Sequence, residues 1–143
     1  MDKTVLTQIN SIREEIKDLQ DRLNKSIKPV EIVTDSVQGS GKNYPYIKHN
    51  CVIQGIDEHR VILNKKNRNK YEKLIKGKQH KLEKLIVKLE YELNYVEDSD
   101  IRRIIRYRYE DDLNWVQIMF KMGYNAESTA RMKHDRYLEN LQP

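Results

Sequence analysis

Apolar residues near the start of the chain recur at alternating spacings of four and three. The positions that carry this repeat are Val5, Ile9, Ile12, Ile16, Leu19 and Leu23. Because such spacing keeps one apolar seam on a single side of a helix, it predicts a coiled-coil helix that ends before Pro29. Three heptads are only marginally stable alone, so the seam needs a partner.

Two partners fit this seam. We expect it to join copies of the chain into an oligomer, in the simplest case a dimer, and the residues assigned to this role are Ile9, Ile12, Ile16, Leu19 and Leu23. The alternative is an intrachain hairpin, in which the seam folds onto Leu82, Leu85 and Leu89.

The helical period disappears between residues 29 and 56. Short runs of β-branched and aromatic residues flank a segment, 38–43, that is rich in glycine and polar residues. This composition predicts either a short β-hairpin or an irregular loop.

Helical spacing resumes after Asp57 and continues toward Tyr95 or Val96. Its apolar stripe, which includes Leu82 and Leu89, could receive the first helix. The acidic segment 97–100 then predicts a break and a cap for another helix.

Two short amphipathic helices are predicted near the end of the chain. Asn114 can cap the first, with Gln117 placed to complete a capping box, and Gly123 can end it in a left-handed conformation. A second helix is predicted from Glu127 to about Leu138. It is basic on its outer side and apolar at Ala130, which is typical of the recognition helix of a helix-turn-helix.

This C-terminal segment resembles a known family. The matching residues run Asp100-x-Arg102-Arg103-Ile104-Ile105-x-x-Arg108-Tyr109, then Leu113-Asn114-Trp115-x-x-Ile118, Gly123-Tyr124 and Ser128-Thr129-Ala130-Arg131-x-x-His134-x-Arg136-Tyr137-Leu138. They are similar to the DNA-binding end of phage late-gene transcription regulators of the RinA/ArpU type, which in turn resemble the fourth region of bacterial sigma factors. A weaker likeness to small phage regulators lies at residues 33–40 and 44–46.

The chain is therefore predicted to be mainly α: an N-terminal coiled-coil helix, a short β-hairpin or loop, a long central helix and a C-terminal helix-turn-helix. We expect an oligomerisation region over residues 1–97, with the hairpin or loop at 29–56, and a DNA-binding domain over 98–143. The resemblance and the helical spacing assign DNA binding to Glu127, Ser128, Thr129, Arg131, Met132, Lys133 and Arg136.

Within this set the spacing predicts two roles. Arg131 is expected to face base edges together with Glu127 and Ser128, whereas Lys133 and Arg136 are expected to contact phosphates. In similar units the residue after the isoleucine of the first helix is usually small, and the second helix usually carries valine or isoleucine where this chain has Ala130. Since this chain has Met119 at the first of these positions, we expect Met119 to pack directly against Ala130.

Charge is concentrated in one part of the chain. The 143 residues have a formal net charge of +5, and 34% are charged. Between Arg60 and Lys88 eleven basic residues face only Glu72 and Glu83 as acids. This segment is either a second surface for the nucleic acid backbone or a solvated helix face, and its shortage of arginine and aromatic residues favours the solvated face.

The sequence offers no enzyme chemistry. Cys51 is the single cysteine, and the four histidines are not spaced like zinc ligands. Adjacent acidic pairs such as Asp111 and Asp112 splay apart, and no serine or cysteine has the context of a nucleophile. We expect a non-enzyme without metal or cofactor. With no apolar run long enough to span a bilayer and no signal-peptide pattern, we expect it in the cytoplasm of a bacterial host cell.

Three functions remain open. The first is a phage or prophage transcription regulator that binds double-stranded DNA through its helix-turn-helix, and the resemblance to sigma factors also implies contact with host RNA polymerase. The second is the small DNA-recognition subunit of a phage packaging terminase. The third is a coiled-coil module that binds another protein. Sequence-specific duplex binding separates the third from the other two, and a ring of eight or more subunits would favour packaging.

Overall fold

Helices account for most of the chain. The computed structural model describes residues 1–40, 44, 45 and 47–141. Its elements in chain order are α1 (Lys3–Ser26), β1 (Ile32–Ser40), β2 (Lys48–Ile56), α2 (Glu58–Leu93), α3 (Ser99–Ile105), a π-helical turn (Arg106–Glu110), α4 (Trp115–Met122) and α5 (Glu127–Asn140). The predicted mainly α fold is confirmed.

The chain divides into two compact units. One consists of Met1–Asp18 with Ile75–Pro143, and the other of Leu19–Leu74. The predicted domain boundary between residues 97 and 98 does not separate these units, because Leu93, at the end of α2, lies in the same core cluster as Ile101 of α3. A contiguous core of this kind holds its helices in a single unit.

The core of the first unit contains the start of the N-terminal seam. Buried residues of α1, α2, α3 and the adjoining turns form this cluster: Val5, Leu6, Ile9, Leu89, Leu93, Val96, Ile101, Ile105 and Tyr109. Leu82 and Leu85 pack against it, as the intrachain alternative requires. Ile9, Ile12 and Ile16 are all buried within a single chain, so the interchain contact predicted for these three residues is replaced by an intrachain one. Leu19 and Leu23 are half-buried and belong to the second unit.

The second unit contains a β-hairpin, the first of the two structures predicted for residues 29–56. Strands β1 and β2 pair antiparallel in a register that runs from Ile32 opposite Ile56 to Ser40 opposite Lys48. Residues 41–43 of the predicted glycine-rich turn, and Tyr46 of the weaker family likeness, lie outside the described residues. In the same unit, the side chain of Asn64 in α2 is buried and hydrogen-bonded to the backbone of Lys28.

Local signals set the start of α3 and both ends of α4. Asp98 caps α3, because its Oδ1 accepts hydrogen bonds from the backbone N–H groups of Asp100 and Ile101. The predicted capping box of α4 is confirmed: the Gln117 N–H donates to Asn114 Oδ1 over 2.9 Å, and the Asn114 N–H donates to Gln117 Oε1 over 3.0 Å. Gly123 then ends α4 in the left-handed conformation at φ 74°.

Two glycines should respond in opposite directions to alanine. Gly123→Ala is expected to lower the free energy of unfolding by about 1–2 kcal/mol, because a Cβ is disfavoured at positive φ. Gly77→Ala should raise it by about 0.5–1 kcal/mol, because Gly77 lies inside α2 with open space around the added methyl group. Urea denaturation followed by circular dichroism measures both changes, and shifts of the same sign would contradict this account.

Candidate nucleic-acid interface

A small apolar cluster holds the three C-terminal helices together. Ile104 of α3, Ile118 of α4 and Ala130 of α5 are each 0% exposed and form its centre. Partly buried side chains pack around it: Tyr107, Leu113, Trp115, Met122 and Tyr124. The cluster therefore fixes the angle at which α5 leaves the turn after Gly123, as a helix-turn-helix requires.

The predicted contact between Met119 and Ala130 was wrong. Met119 is half-buried, yet among the described residues it does not belong to the hydrophobic side chains that surround Ala130. The small Ala130 is instead packed in the cluster that contains Ile104 and Ile118. The departures from the family pattern at these two positions are thus not a compensating pair.

A hydrogen-bonded chain through the buried Tyr109 and His134 attaches the middle of α5 to the π-helical turn after α3. Tyr109 Oη lies 3.0 Å from His134 Nε2, and His134 Nδ1 lies 2.9 Å from Asp135 Oδ1. Burial raises the pKa of Tyr109. The Asp135 carboxylate can only accept a hydrogen bond, so Nδ1 donates to it, and in a neutral imidazole Nε2 then accepts from the Tyr109 hydroxyl. The edge of Trp115 meets the His134 ring, with 5.1 Å between ring centroids.

Lys133 lies in a second polar contact, which joins α5 to the start of α3. Its Nζ donates to Asp100 Oδ2 over 2.9 Å and to Tyr124 Oη over 3.0 Å. The hydrogen bonds with Tyr124 and Asp100 raise the pKa of Lys133, and the hydrogen bond from Lys133 lowers the pKa of Asp100. Lys133 and Asp100 are both about half exposed, so this ion pair joins α5 to α3 at the surface and the predicted phosphate contact of Lys133 stays a prediction.

The other six predicted DNA-binding residues lie on the solvent side of α5. Those that are exposed are Glu127, Ser128, Thr129, Arg131, Met132 and Arg136. The Arg131 side chain is 62% exposed, and its Nε lies 3.9 Å from Asp135 Oδ2, a long surface ion pair that a competing phosphate could replace. Met132 is 59% exposed although it is apolar. The structure therefore brings these six side chains together on one accessible helix.

The first turn of α5 presents backbone donors as well. Ala126 is the N-cap residue, and it supplies no side-chain hydrogen bond to the helix, in contrast to Asn114 at the start of α4. The first N–H groups of a helix have no intrahelical acceptor and carry partial positive charge. The start of α5 is thus chemically suited to a phosphate oxygen.

Two further cations lie on the neighbouring helices. The Arg103 guanidinium lies 5.8 Å, and Lys121 Nζ lies 5.0 Å, from the centroid of the Tyr107 ring. Arg103 also donates to the backbone carbonyl of Lys121 over 3.3 Å, and its hydrogen bond to Tyr107 raises the pKa of Arg103. The sequence prediction missed this cluster because Arg103 and Lys121 are 18 residues apart and meet only through the fold. Lys121 lies on α4, the first helix of the two-helix unit, and in helix-turn-helix proteins that helix crosses the DNA backbone. Arg103 of α3 lies beside it, so the pair suits phosphate contact.

A metal-binding cluster and a membrane-spanning helix are both absent from the part of the chain that the structure describes. In the residues that the structure describes, no group of three or more His, Cys, Asp or Glu side chains could hold a metal ion. None of the described helices is long and apolar enough to cross a membrane. No family model matches the chain, and no curated protein or solved structure shows significant similarity to it.

Proposed function

We propose that this chain is a phage or prophage transcription regulator that reads a specific DNA sequence by placing α5 in the major groove. One observation carries the proposal: the inner side of α5 is packed through Ala130 and His134, whereas its outer side is exposed and bears polar and cationic residues. A helix held rigidly by a glycine-ended partner helix, with its outer side accessible, is the arrangement by which helix-turn-helix proteins read base edges.

The contacts divide by chemistry. Arg131 can donate two hydrogen bonds to guanine, Ser128 can donate to or accept from a base edge, and Met132 offers an apolar contact to a thymine methyl group. We assign the phosphate contacts to Arg136, the Arg103–Lys121 cluster and the N–H groups at the start of α5. These contacts position the helix without reading sequence. Lys133 also pairs with Asp100 at the surface, where it joins α5 to α3.

The charge of α5 itself argues for specific contacts over general attraction. The helix has three acids, Glu127, Asp135 and Glu139, and three basic residues, Arg131, Lys133 and Arg136. Its formal charge is therefore zero, so attraction to DNA has to come from elsewhere in the chain. A neutral recognition helix would discriminate by hydrogen bonding and contact shape.

Selection from random duplexes tests the proposal. The purified full chain is incubated with random DNA, and bound fragments are sequenced to obtain a preferred site. Arg131→Ala should weaken binding to that site by about 1–3 kcal/mol and relax the preference at one base pair. Arg22→Ala removes an exposed arginine from α1 and is the matched control. Recovery of fragments without any shared sequence would overturn sequence-specific recognition and favour a protein-interaction role.

The same protein sample separates transcription regulation from DNA packaging. Sedimentation velocity of the full chain measures its oligomeric state directly. A ring of eight or more subunits would favour the terminase alternative, whereas a monomer or a small oligomer that binds a selected site would favour regulation.

A further inference from the structure

The outer side of the last part of α2 carries a regular basic and aromatic stripe. Lys81, Lys84, Lys88 and Tyr91 follow one another at spacings of three, four and three, which places them on one side of an α-helix. Tyr95, one turn beyond Tyr91, extends the row past the helix end. We call these five residues the basic stripe. All of them belong to the compact unit that contains α5.

Every member of the basic stripe is exposed. Tyr91 is 64% and Tyr95 is 72% exposed, and their rings meet edge to face with 5.5 Å between centroids. Tyr95 Oη donates to Tyr91 Oη over 2.9 Å. The Tyr91 hydroxyl proton is then available to an external acceptor.

The lysines of the stripe form only one long ion pair among the described residues, although the charge of Lys81 helps lower the pKa of Glu15 and that of Lys88 helps lower the pKa of Asp2. Lys88 lies 3.9 Å from Glu92 in a surface pair, which contributes little, and Glu92 also accepts a hydrogen bond from the backbone of Asp2. Among the described residues, neither Lys81 nor Lys84 lies in an ion pair. By helical spacing, the remaining acids of this part of α2, Glu83 and Glu90, fall about 120° or more from the centre of the stripe.

We propose that the basic stripe binds the sugar–phosphate backbone of duplex DNA, as a contact separate from α5. Three ammonium groups on one helix side can replace condensed counterions on phosphates, and this supplies affinity without sequence information. The Tyr91 hydroxyl adds a hydrogen bond to a phosphate oxygen. The inference rests on the proposed function only in naming DNA as the polyanion. The basic stripe would supply the electrostatic attraction to DNA that α5, with its formal charge of zero, does not.

The salt dependence of binding to a random-sequence duplex tests the stripe. Fluorescence anisotropy of a labelled 30-base-pair duplex, titrated with the full chain at several salt concentrations, gives the slope of log Kd against log salt. The triple variant Lys81→Gln, Lys84→Gln, Lys88→Gln should reduce that slope by about 2–3, since each phosphate contact contributes about 0.9. The control, Lys3→Gln, Lys25→Gln, Lys28→Gln, removes the same charge from exposed lysines outside α2. It should change the slope by less than about one.

Each outcome bears on one of the two proposals. Equal slopes for the stripe and control variants would overturn the stripe and indicate another occupant, such as an acidic protein surface. If the slope falls only in the stripe variant while selection yields no preferred sequence, the stripe stands and specific reading by α5 fails. If selection yields a preferred sequence while the slope of the stripe variant equals that of the unchanged protein, specific reading by α5 stands and the stripe fails. Absence of duplex binding overturns both the stripe and the proposed function. Circular dichroism confirms that each triple variant remains folded.

Discussion

An Ile118→Ala variant is expected to lose about 2–5 kcal/mol of the free energy of unfolding. Ile118 is completely buried between Ile104 and Ala130, where α3, α4 and α5 meet. Removing three carbon atoms there leaves a cavity that three helices on short connections cannot readily close. The loss should extend to binding, because the same cluster sets the position of α5.

Val116→Ala provides the matched control for this cavity. Val116 lies on the same helix but is 44% exposed, so its truncation should cost no more than about 0.5–1 kcal/mol. Urea denaturation followed by circular dichroism and by Trp115 fluorescence compares the two variants. Equal losses would show that the Ile104–Ile118–Ala130 cluster does not stabilise the C-terminal helices as its burial indicates.

Local sequence signals predicted the helices near the C-terminus correctly. Asn114, Gln117 and Gly123 act within a few residues of one another, so the start and end of α4 are decided by short-range hydrogen bonds and backbone conformation. The hairpin at β1 and β2 was predicted only as one of two alternatives. Its flanking residues favour strands, but which residues pair depends on the register of the whole ladder.

The partner of the N-terminal seam could not be chosen from the sequence. The repeat through Ile9, Ile12 and Ile16 predicts only that other apolar side chains cover one side of α1. Another copy of the chain and α2 of the same chain could supply them equally well. The structure covers these three residues within the chain. Covering them this way also places residues of α1, α2 and α3 in one core.

The length of the Lys133 side chain explains its contacts with Asp100 and Tyr124, which the sequence did not predict. Helical spacing places Lys133 at the edge of the inner side of α5, and its four-carbon stem allows the ammonium to reach Asp100 and Tyr124. Neither partner is near Lys133 in sequence, so no local pattern could reveal the contact. The Arg103–Lys121 cluster was missed for the same reason, although the match of Arg103 to the family motif singled out the residue itself.

The lowered pKa of Asp100 gives this contact a defined pH dependence. An acid whose pKa is lower in the folded state stabilises the fold above its unfolded pKa. That contribution disappears as the pH falls through the folded value. The ion pair with Lys133 should therefore support the position of α5 at neutral pH and weaken only in acid.

His134→Phe is expected to lower the free energy of unfolding by about 1–3 kcal/mol, because it leaves the buried Tyr109 hydroxyl without an acceptor. The phenyl ring keeps an aromatic group beside Trp115, so the change removes the two hydrogen bonds of His134, to Tyr109 and to Asp135, with little change in packing. Tyr109→Phe, which removes only the hydroxyl, is the partner variant. If the two groups stabilise the protein through each other, the double variant should lose clearly less than the sum of the single losses. Urea denaturation of all four proteins measures this coupling. Strictly additive losses would show that the 3.0 Å contact between Tyr109 and His134 does not hold α5 in place.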